Sequence, residues 1–406
     1  MPDQAARLTP QQVHVVLASY LGWTLDAFDF FIMAFVLRDV AASYGAQMSG
    51  VALAITLTLA CRPIGAVLFG RAADRFGRRP TLMVNVLCYS LLEFASGLAP
   101  SLTVFLVLRA LYGVAMGGEW GVGASLTMES VPARWRGPVS GLLQAGYPSG
   151  YLLASVLYLA LPLLTWRGMF MVGVVPALLV LYIRRNVPES PDWLARTETD
   201  RQAGIWSVLR QHAGLVVFAA AVMMGFNFFS HGSQDLYPSQ FLGAQHHLGT
   251  GTISVISIVA NLGAMAGGLV FGTLSQRIGR KWAIVIAALL ALPVLRLWAF
   301  SSTPVLLGLG AFLMQVCVQG AWGVVPVFLN ELSPASIRGT FPGLVYQLGN
   351  FLASANANLQ VWLAGRFDGN YGMAMALVTG TVAVLIAVLV SLGREPKGAR
   401  MGAEAG

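Results

Sequence analysis

The order of apolar runs limits this chain more than any other feature. Twelve runs, each long enough for the roughly 20 helical residues that cross a hydrocarbon layer, follow one another in the sequence. They lie at roughly 13–38, 49–70, 80–98, 102–127, 138–160, 165–184, 212–238, 251–274, 282–300, 304–329, 340–364 and 371–392, and are numbered spans 1 to 12 below. Of the 406 residues 56% are hydrophobic and only 10% charged, where a soluble protein carries about 25% charged residues. A water-facing surface cannot be built from so few charges. The expected class is an all-α membrane protein of twelve transmembrane helices.

The net charge of +8 would raise the question of nucleic acid in a soluble protein. Here the position of the charges matters more than their sum. Most Lys and Arg fall on one side of the spans, among them Arg71, Arg134, Arg184, Arg185, Arg196, Arg201, Arg210, Lys281, Arg394, Lys397 and Arg400. The opposite loops hold Arg38, Arg167 and Arg366. Basic loops stay in the cytoplasm, so both termini are expected there, in a plasma or bacterial inner membrane. Met1 to Gln12 carries Asp3 and Arg7 and no small-residue cleavage pattern, so no cleavable signal peptide is expected. Cys61, Cys88 and Cys317 all lie within spans and form no CxxC pair, which predicts neither a disulfide frame nor a metal site.

The polar stretch from Arg185 to Gln211 divides six spans from six. It predicts an N-terminal half over 1–184, a linker over 185–211 and a C-terminal half over 212–406. A repeat supports the division. Gly70-Arg-Ala-Ala-Asp-Arg-Phe-Gly-Arg-Arg79 matches Gly272-Thr-Leu-Ser-Gln-Arg-Ile-Gly-Arg-Lys281, 202 residues on. The same offset relates Glu129-Ser-Val-Pro132 with Arg136-Gly137 to Glu331-Leu-Ser-Pro334 with Arg338-Gly339, and Gly118-Glu-Trp-Gly121 to Gly320-Ala-Trp-Gly323. Two six-helix halves related by an axis along the membrane normal are expected.

Gly70 to Arg79 resembles the signature loop between helices 2 and 3 of the major facilitator superfamily, and the resemblance covers nearly the whole chain. It implies a cytoplasmic gate built from Gly70, Asp74, Arg75, Gly77, Arg78, Arg79, Glu129 and Arg136, with Arg277, Arg280, Glu331 and Arg338 in the second half. It also implies that Asp74 holds the halves together when the protein faces outward. Gln276 replaces that Asp in the second copy, so its latch should be weaker. Val187-Pro-Glu-Ser-Pro-Asp-Trp-Leu194 is similar to the segment after helix 6 of sugar porters.

Charges inside the spans are candidates by default, because a charge in a bilayer costs several kcal/mol unless paired or wet. They are Asp26, Asp29, Arg62, Glu93, Arg109, Glu119, Asp235 and Arg296. Asp29 lies nine residues before Arg38, and Arg109 eight residues beyond Ser101. At 1.5 Å per residue both sit roughly 12–14 Å below the outer surface, which predicts an ion pair. The same arrangement occurs in proton-coupled sugar porters, where the Asp takes the proton and the Arg modulates it. Asp26 shares the face of Asp29. Arg62 has no acidic neighbour in sequence, and a guanidinium lining a cavity would bind a carboxylate in bidentate fashion. Glu93, Glu119 and Arg296 read as structural or gating groups.

Span 7 carries a polar stripe: Asn227, Ser230, His231, Gln234 and Asp235 share one helical face. Such a stripe must meet a wet cavity or buried partners. It resembles the sialate:H⁺ symporter signature N-x-x-[ST]-H-x-[ST]-Q-D-x-x-x-T, with Ser239 in place of the final Thr. That family includes fungal lactate permeases and bacterial sialic acid transporters. The resemblance implies proton-coupled uptake of a carboxylate, with Asn227, His231 and Asp235 in recognition or coupling. His231 is also the repeat-mate of Asp29, which places the two at like depth across a central cavity. Gln144, Tyr147, Gln347 and Asn350 are further candidates for its lining, with Asn261, Gln315, Gln319 and Asn356.

The reading is a secondary active transporter working by alternating access, which imports a monocarboxylate such as lactate or pyruvate, or sialic acid, with protons as the coupling ion. No cofactor, metal or nucleic acid is expected; the partners are the acid, H⁺ and the bilayer, and the chain is expected to be monomeric. The rivals are an exporter or antiporter of the same fold, a proton-coupled aromatic acid or sugar porter, and a ligand-sensing receptor, for which the short loops leave little room. G-x-S-x-G, H-E-x-x-H and Walker patterns are absent from the sequence, which speaks against an enzyme.

Overall fold

The computed structural model describes residues 7–158, 161–198, 204–399 and 401. Asp3, Arg201 and Arg400 lie outside them. Among the described residues the chain is helical with no strand, and nine helical stretches are long and apolar enough to cross a membrane. Span 3 (Arg78–Gly97), span 5 (Arg136–Gln144 continued by Gly146–Tyr158) and span 11 (Phe341–Ala353 continued by Asn356–Arg366) complete the twelve.

Several helices run past the apolar stretches that announce them, because a helix ends at its caps and not at the edge of the lipid. Span 1 covers Pro10–Tyr44; Thr9 opens it with a capping box and Gly45, at φ 59°, closes it in the left-handed conformation that glycine takes without strain. Span 2 covers Met48–Phe76, span 4 Leu102–Ser130, span 8 Thr250–Ile278 and span 10 Pro304–Leu332. Span 9 is Arg280–Phe300 and span 12 is Tyr371–Leu392. Span 7 ends later than expected: Ala213–Gln234 is followed by a π-helix over Tyr237–Gln245. Span 6 is interrupted between Val172 and Ala177. The linker includes the short helices Pro191–Leu194 and Ile205–Gln211.

Within a bilayer helices gain little from burying apolar surface, so close backbone approach through small residues holds them together. Span 4 crosses span 2 where a Cβ on Gly117 would sit 2.0 Å from the Arg62 carbonyl oxygen. Span 10 crosses span 8 in the same way, and a Cβ on Gly267 would sit 2.3 Å from the Val316 carbonyl oxygen. The repeat read in the sequence is thus a repeat of packing. The halves meet along two seams. Gly70 of span 2 lies against Thr340 at the start of span 11, and Gly272 of span 8 lies against Gly137 of span 5.

Candidate functional site

Between the halves lies a cavity of about 290 Å³, at the lower end of the roughly 300–1,000 Å³ usual for small-molecule sites. Its lining on spans 1, 7 and 10 runs from the helix middles toward the end opposite the basic loops, from Trp23 to Phe31, Asn227 to Pro238 and Ala311 to Trp322.

The polar stripe of span 7 faces this cavity as its periodicity predicts. Asn227, Ser230, His231, Gln234 and Asp235 all line it. The His231 Nδ1 lies 3.1 Å from Asp235 Oδ2, and Nε2 lies 3.2 Å from Asn350 Oδ1 on span 11. Gln234 donates through Nε2 to Gln315 Oε1 at 2.9 Å and to the Ser230 hydroxyl at 3.2 Å. Asn227 turns its amide back onto the Met223 carbonyl at 2.8 Å. From the other half come Arg62, Gln144 and Tyr147. Asn261, Gln315, Gln319 and Asn350 join the lining, whereas Gln347 and Asn356 do not: both are buried, away from the cavity. The spacing of Gln347 from Asn350 is three residues, but only Asn350 reaches the span 7 stripe.

Arg62 is 4% exposed, and among the described residues no carboxylate lies within ion-pair distance of it. Its guanidinium rests over the Phe30 ring, 5.2 Å from the centroid, and against the Met116 sulfur. It is a buried cation at a cavity wall whose immediate neighbours are soft and uncharged.

The expected Asp29–Arg109 pair is not formed. Arg109 bonds Glu93 of span 3 at 2.6 Å and the Ser96 hydroxyl at 2.8 Å, beneath the rings of Tyr112 and Phe170. The direction around the helix decides the partner, and Arg109 faces span 3. Arg109 therefore does not line the cavity, and Glu93, read as a structural or gating group, is its partner. Gly173, in the break of span 6, makes room for it: a Cβ there would fall 2.2 Å from Glu93 Cγ. Asp26 and Asp29 are fully buried inside the N-terminal half, their carboxyl oxygens without a hydrogen bond among the described residues. Asp29 does not line the cavity, so it and His231 do not face each other across it.

At the basic end the halves are latched. Asp74 Oδ1 accepts from the Gly339 amide at 2.8 Å, and Oδ2 from the Thr340 hydroxyl at 2.6 Å, both across the seam. Arg78 joins Asp74 at 3.0 Å and Glu129 at 2.9 Å. The second copy repeats the plan. Gln276 accepts from the Gly137 amide at 3.2 Å and donates to the Ala133 carbonyl at 2.9 Å, and Arg280 pairs with Glu331 at 2.9 Å. Arg136 donates to the Met128 and Ala399 carbonyls, Arg338 meets Asp192, and Gly77 adopts φ 112° between spans 2 and 3. Arg79 bonds the Arg184 carbonyl within its own half. Arg75 and Arg277 depart from the expected gate. Both are exposed; Arg75 lies over its neighbour Phe76, and Arg277 offers its carbonyl to Lys397.

Sequence reasoning missed two carboxylates at helix starts. Glu189 accepts from the amides of Arg78 and Arg79 at the start of span 3, and Glu395 from those of Arg280 and Lys281 at the start of span 9. The four amides left open at a helix N-terminus and its positive dipole end are the signal that could have located them. Burial pushes the Glu189 carboxyl above the usual range, against the opposing pull of its amide donors and of Arg78.

Two pseudo-symmetric helical halves, a polar cavity between them and a latch at one end define a membrane carrier. The sequence profile described as Major Facilitator Superfamily matches residues 16–355, and the chain belongs to that superfamily. It is 30% identical over 398 residues to the sialic acid transporter NanX of Escherichia coli (strain K12), covering 97% of this chain and 96% of that one. It is 26% identical to a carboxylic acid transporter protein homolog of Saccharomyces cerevisiae, covering 96% of this chain and 69% of that one. Among solved structures, the proton:xylose symporter XylE superposes with a TM-score of 0.80 at 19% identity, over 97% of this chain and 98% of that one. That similarity places the fold. The chain is a membrane transporter and not an enzyme.

Proposed function

We propose that this transporter takes up an organic acid anion together with one or more protons, by alternating access. The observation that carries the reading is the cavity lined on one side by Arg62, a cation without a carboxylate partner among the described residues, and on the other by the span 7 stripe with its titratable His231. The names of the two relatives, a sialic acid transporter and a carboxylic acid transporter homolog, point to the same chemistry. In this reading the anion binds against Arg62, with Asn227, Ser230, Gln234, Gln144, Tyr147 and Asn350 around it. A proton taken from outside by the His231–Asp235 pair compensates its charge. Asp29 and Asp26 act as a second proton site inside the N-terminal half, with Arg109 and Glu93 as the neighbouring ion pair.

The basic, latched end faces the cytoplasm under the positive-inside rule, so the arrangement described is the outward-facing one and both termini are cytoplasmic. Residues 1–184 and 212–406 move as two bodies joined by the linker 185–211. The protein acts as a monomer in a plasma or bacterial inner membrane. Reconstituted protein with an imposed inward proton gradient should accumulate a labelled carboxylate and alkalinise the outer medium as it does so. Asp29→Asn should abolish accumulation and leave downhill exchange. Accumulation that ignores the proton gradient would overturn symport, and uptake confined to neutral solutes would overturn the acid.

A further inference from the structure

The cavity has two unlike walls. The N-terminal half supplies rings. Trp23 stacks on Tyr147 with centroids 5.6 Å apart and planes at 29°, and Phe31 meets Tyr147 and Tyr151 edge-on at 5.2 and 5.0 Å. All four line the cavity. Apart from the tyrosine hydroxyls, the hydrogen-bonding side chains on this wall are Arg62, Gln144 and the Trp23 indole, and Gln144 already accepts from the Trp120 indole at 3.4 Å. Rings also close part of the opposite side, where Tyr237 and Trp298 stack 5.1 Å apart at 13°. The polar groups of the C-terminal half are largely engaged with one another, through the His231–Asp235, His231–Asn350 and Gln234–Gln315 contacts.

These walls suit some acids and not others. A polyhydroxylated sugar acid carries hydroxyls around its whole ring. Those turned toward the ring faces of Trp23, Phe31 and Tyr151 would lose water without gaining partners, and a buried polar group left unpaired is costly. A short aliphatic hydroxy acid would leave most of the ring surface uncovered. A flat conjugated acid has two apolar π faces and one charged edge. Its faces match preassembled rings, which prefer offset or edge-on neighbours, and its carboxylate matches Arg62, which lies beside this wall over Phe30. Because Trp23, Tyr147, Phe31 and Tyr151 hold one another in place, little side-chain freedom is lost on binding. From this geometry we infer that the substrate is a planar, conjugated monocarboxylate of a single ring, of the benzoate class. The inference rests on the organic acid reading above and narrows it.

The test is equilibrium binding to the full-length protein in detergent, read by calorimetry and by quenching of tryptophan emission, since Trp23, Trp298 and Trp322 line the cavity. Four ligands are compared at one pH: benzoate, cyclohexanecarboxylate, lactate and N-acetylneuraminate. Benzoate and cyclohexanecarboxylate share charge and approximate size, and only the first is flat. Benzoate should bind about tenfold tighter than cyclohexanecarboxylate, and tighter than the other two. Phe31→Leu should weaken benzoate several-fold and change cyclohexanecarboxylate less than twofold. Equal binding of the two ring acids, or tightest binding of lactate or N-acetylneuraminate, would overturn the inference and leave the organic acid reading standing. No binding of any of the four, with a neutral sugar bound instead, would sink both.

Discussion

His231 brings its two ring nitrogens to two unlike neighbours, a carboxylate at Nδ1 and the side-chain amide of Asn350 at Nε2. A neutral imidazole protonated at Nδ1 can accept at Nε2 from the amide NH₂. An imidazolium donates from both nitrogens, and the amide then presents its oxygen. Rotating one amide keeps either form bonded, so the site can hold the ring in both charge states. His231→Ala should weaken substrate binding most at acidic external pH, where the imidazolium would be populated; parallel affinity-versus-pH curves for wild type and variant would show no titrating role. Arg62 and Arg109 should separate cleanly. Arg62→Gln is expected to lose about 2–5 kcal/mol of carboxylate affinity, the range for removing one partner of a buried charge pair. Arg109→Gln should leave binding nearly unchanged and lower thermal stability instead, because it strands Glu93. Titration of a carboxylate against both purified variants checks the contrast.

At the scale of the element, spans 3 and 9 begin alike. Each starts from a glycine at positive φ, Gly77 or Gly279, and each has a distant glutamate closing its first amides. Glu189→Ala should destabilise the protein by about 1–2 kcal/mol, the cost of losing such a cap. Glu189→Gln keeps an acceptor and removes a charge whose burial is unfavourable. Because burial raises this carboxyl above the 4.5 it would have when unfolded, the folded state holds the proton more firmly. The stability this contributes is therefore present at low pH and lost as pH rises through the raised value. The Gln variant should melt as high as the wild type near neutral pH and show a weaker decline with pH; thermal unfolding in detergent across pH measures both. The spans and their number were legible in the sequence, since apolar length and loop charge are local properties. The cap by Glu395 was not, because it comes from a tail more than a hundred residues downstream of Arg280. Nor was the Arg109–Glu93 pair, because sequence gives depth along a helix more surely than direction around it. The span 7 stripe was legible as a set, since five polar residues on one face of an apolar helix leave few places to point.

Across the whole molecule the two seams share a geometry and differ in charge. In the seam between spans 2 and 11 an Asp74 carboxylate accepts from Gly339 and Thr340; in the seam between spans 5 and 8 the neutral amide of Gln276 exchanges bonds with Gly137 and Ala133. Charge-assisted hydrogen bonds are roughly twice as strong as neutral ones. Asp74→Ala should shift the population toward the inward-open form by more than Gln276→Ala does, as read by distances between spin labels placed on opposite halves at the basic end. Equal shifts would show that the charge adds nothing to the latch.

That inequality also bears on the shape of the opening. A door whose two catches differ swings first on the weaker side. The passage to the cytoplasm should begin as a slit along spans 5 and 8 rather than as a round mouth, and the solute should leave past Gly137 and Gly272, where the absence of side chains keeps the walls of the slit smooth.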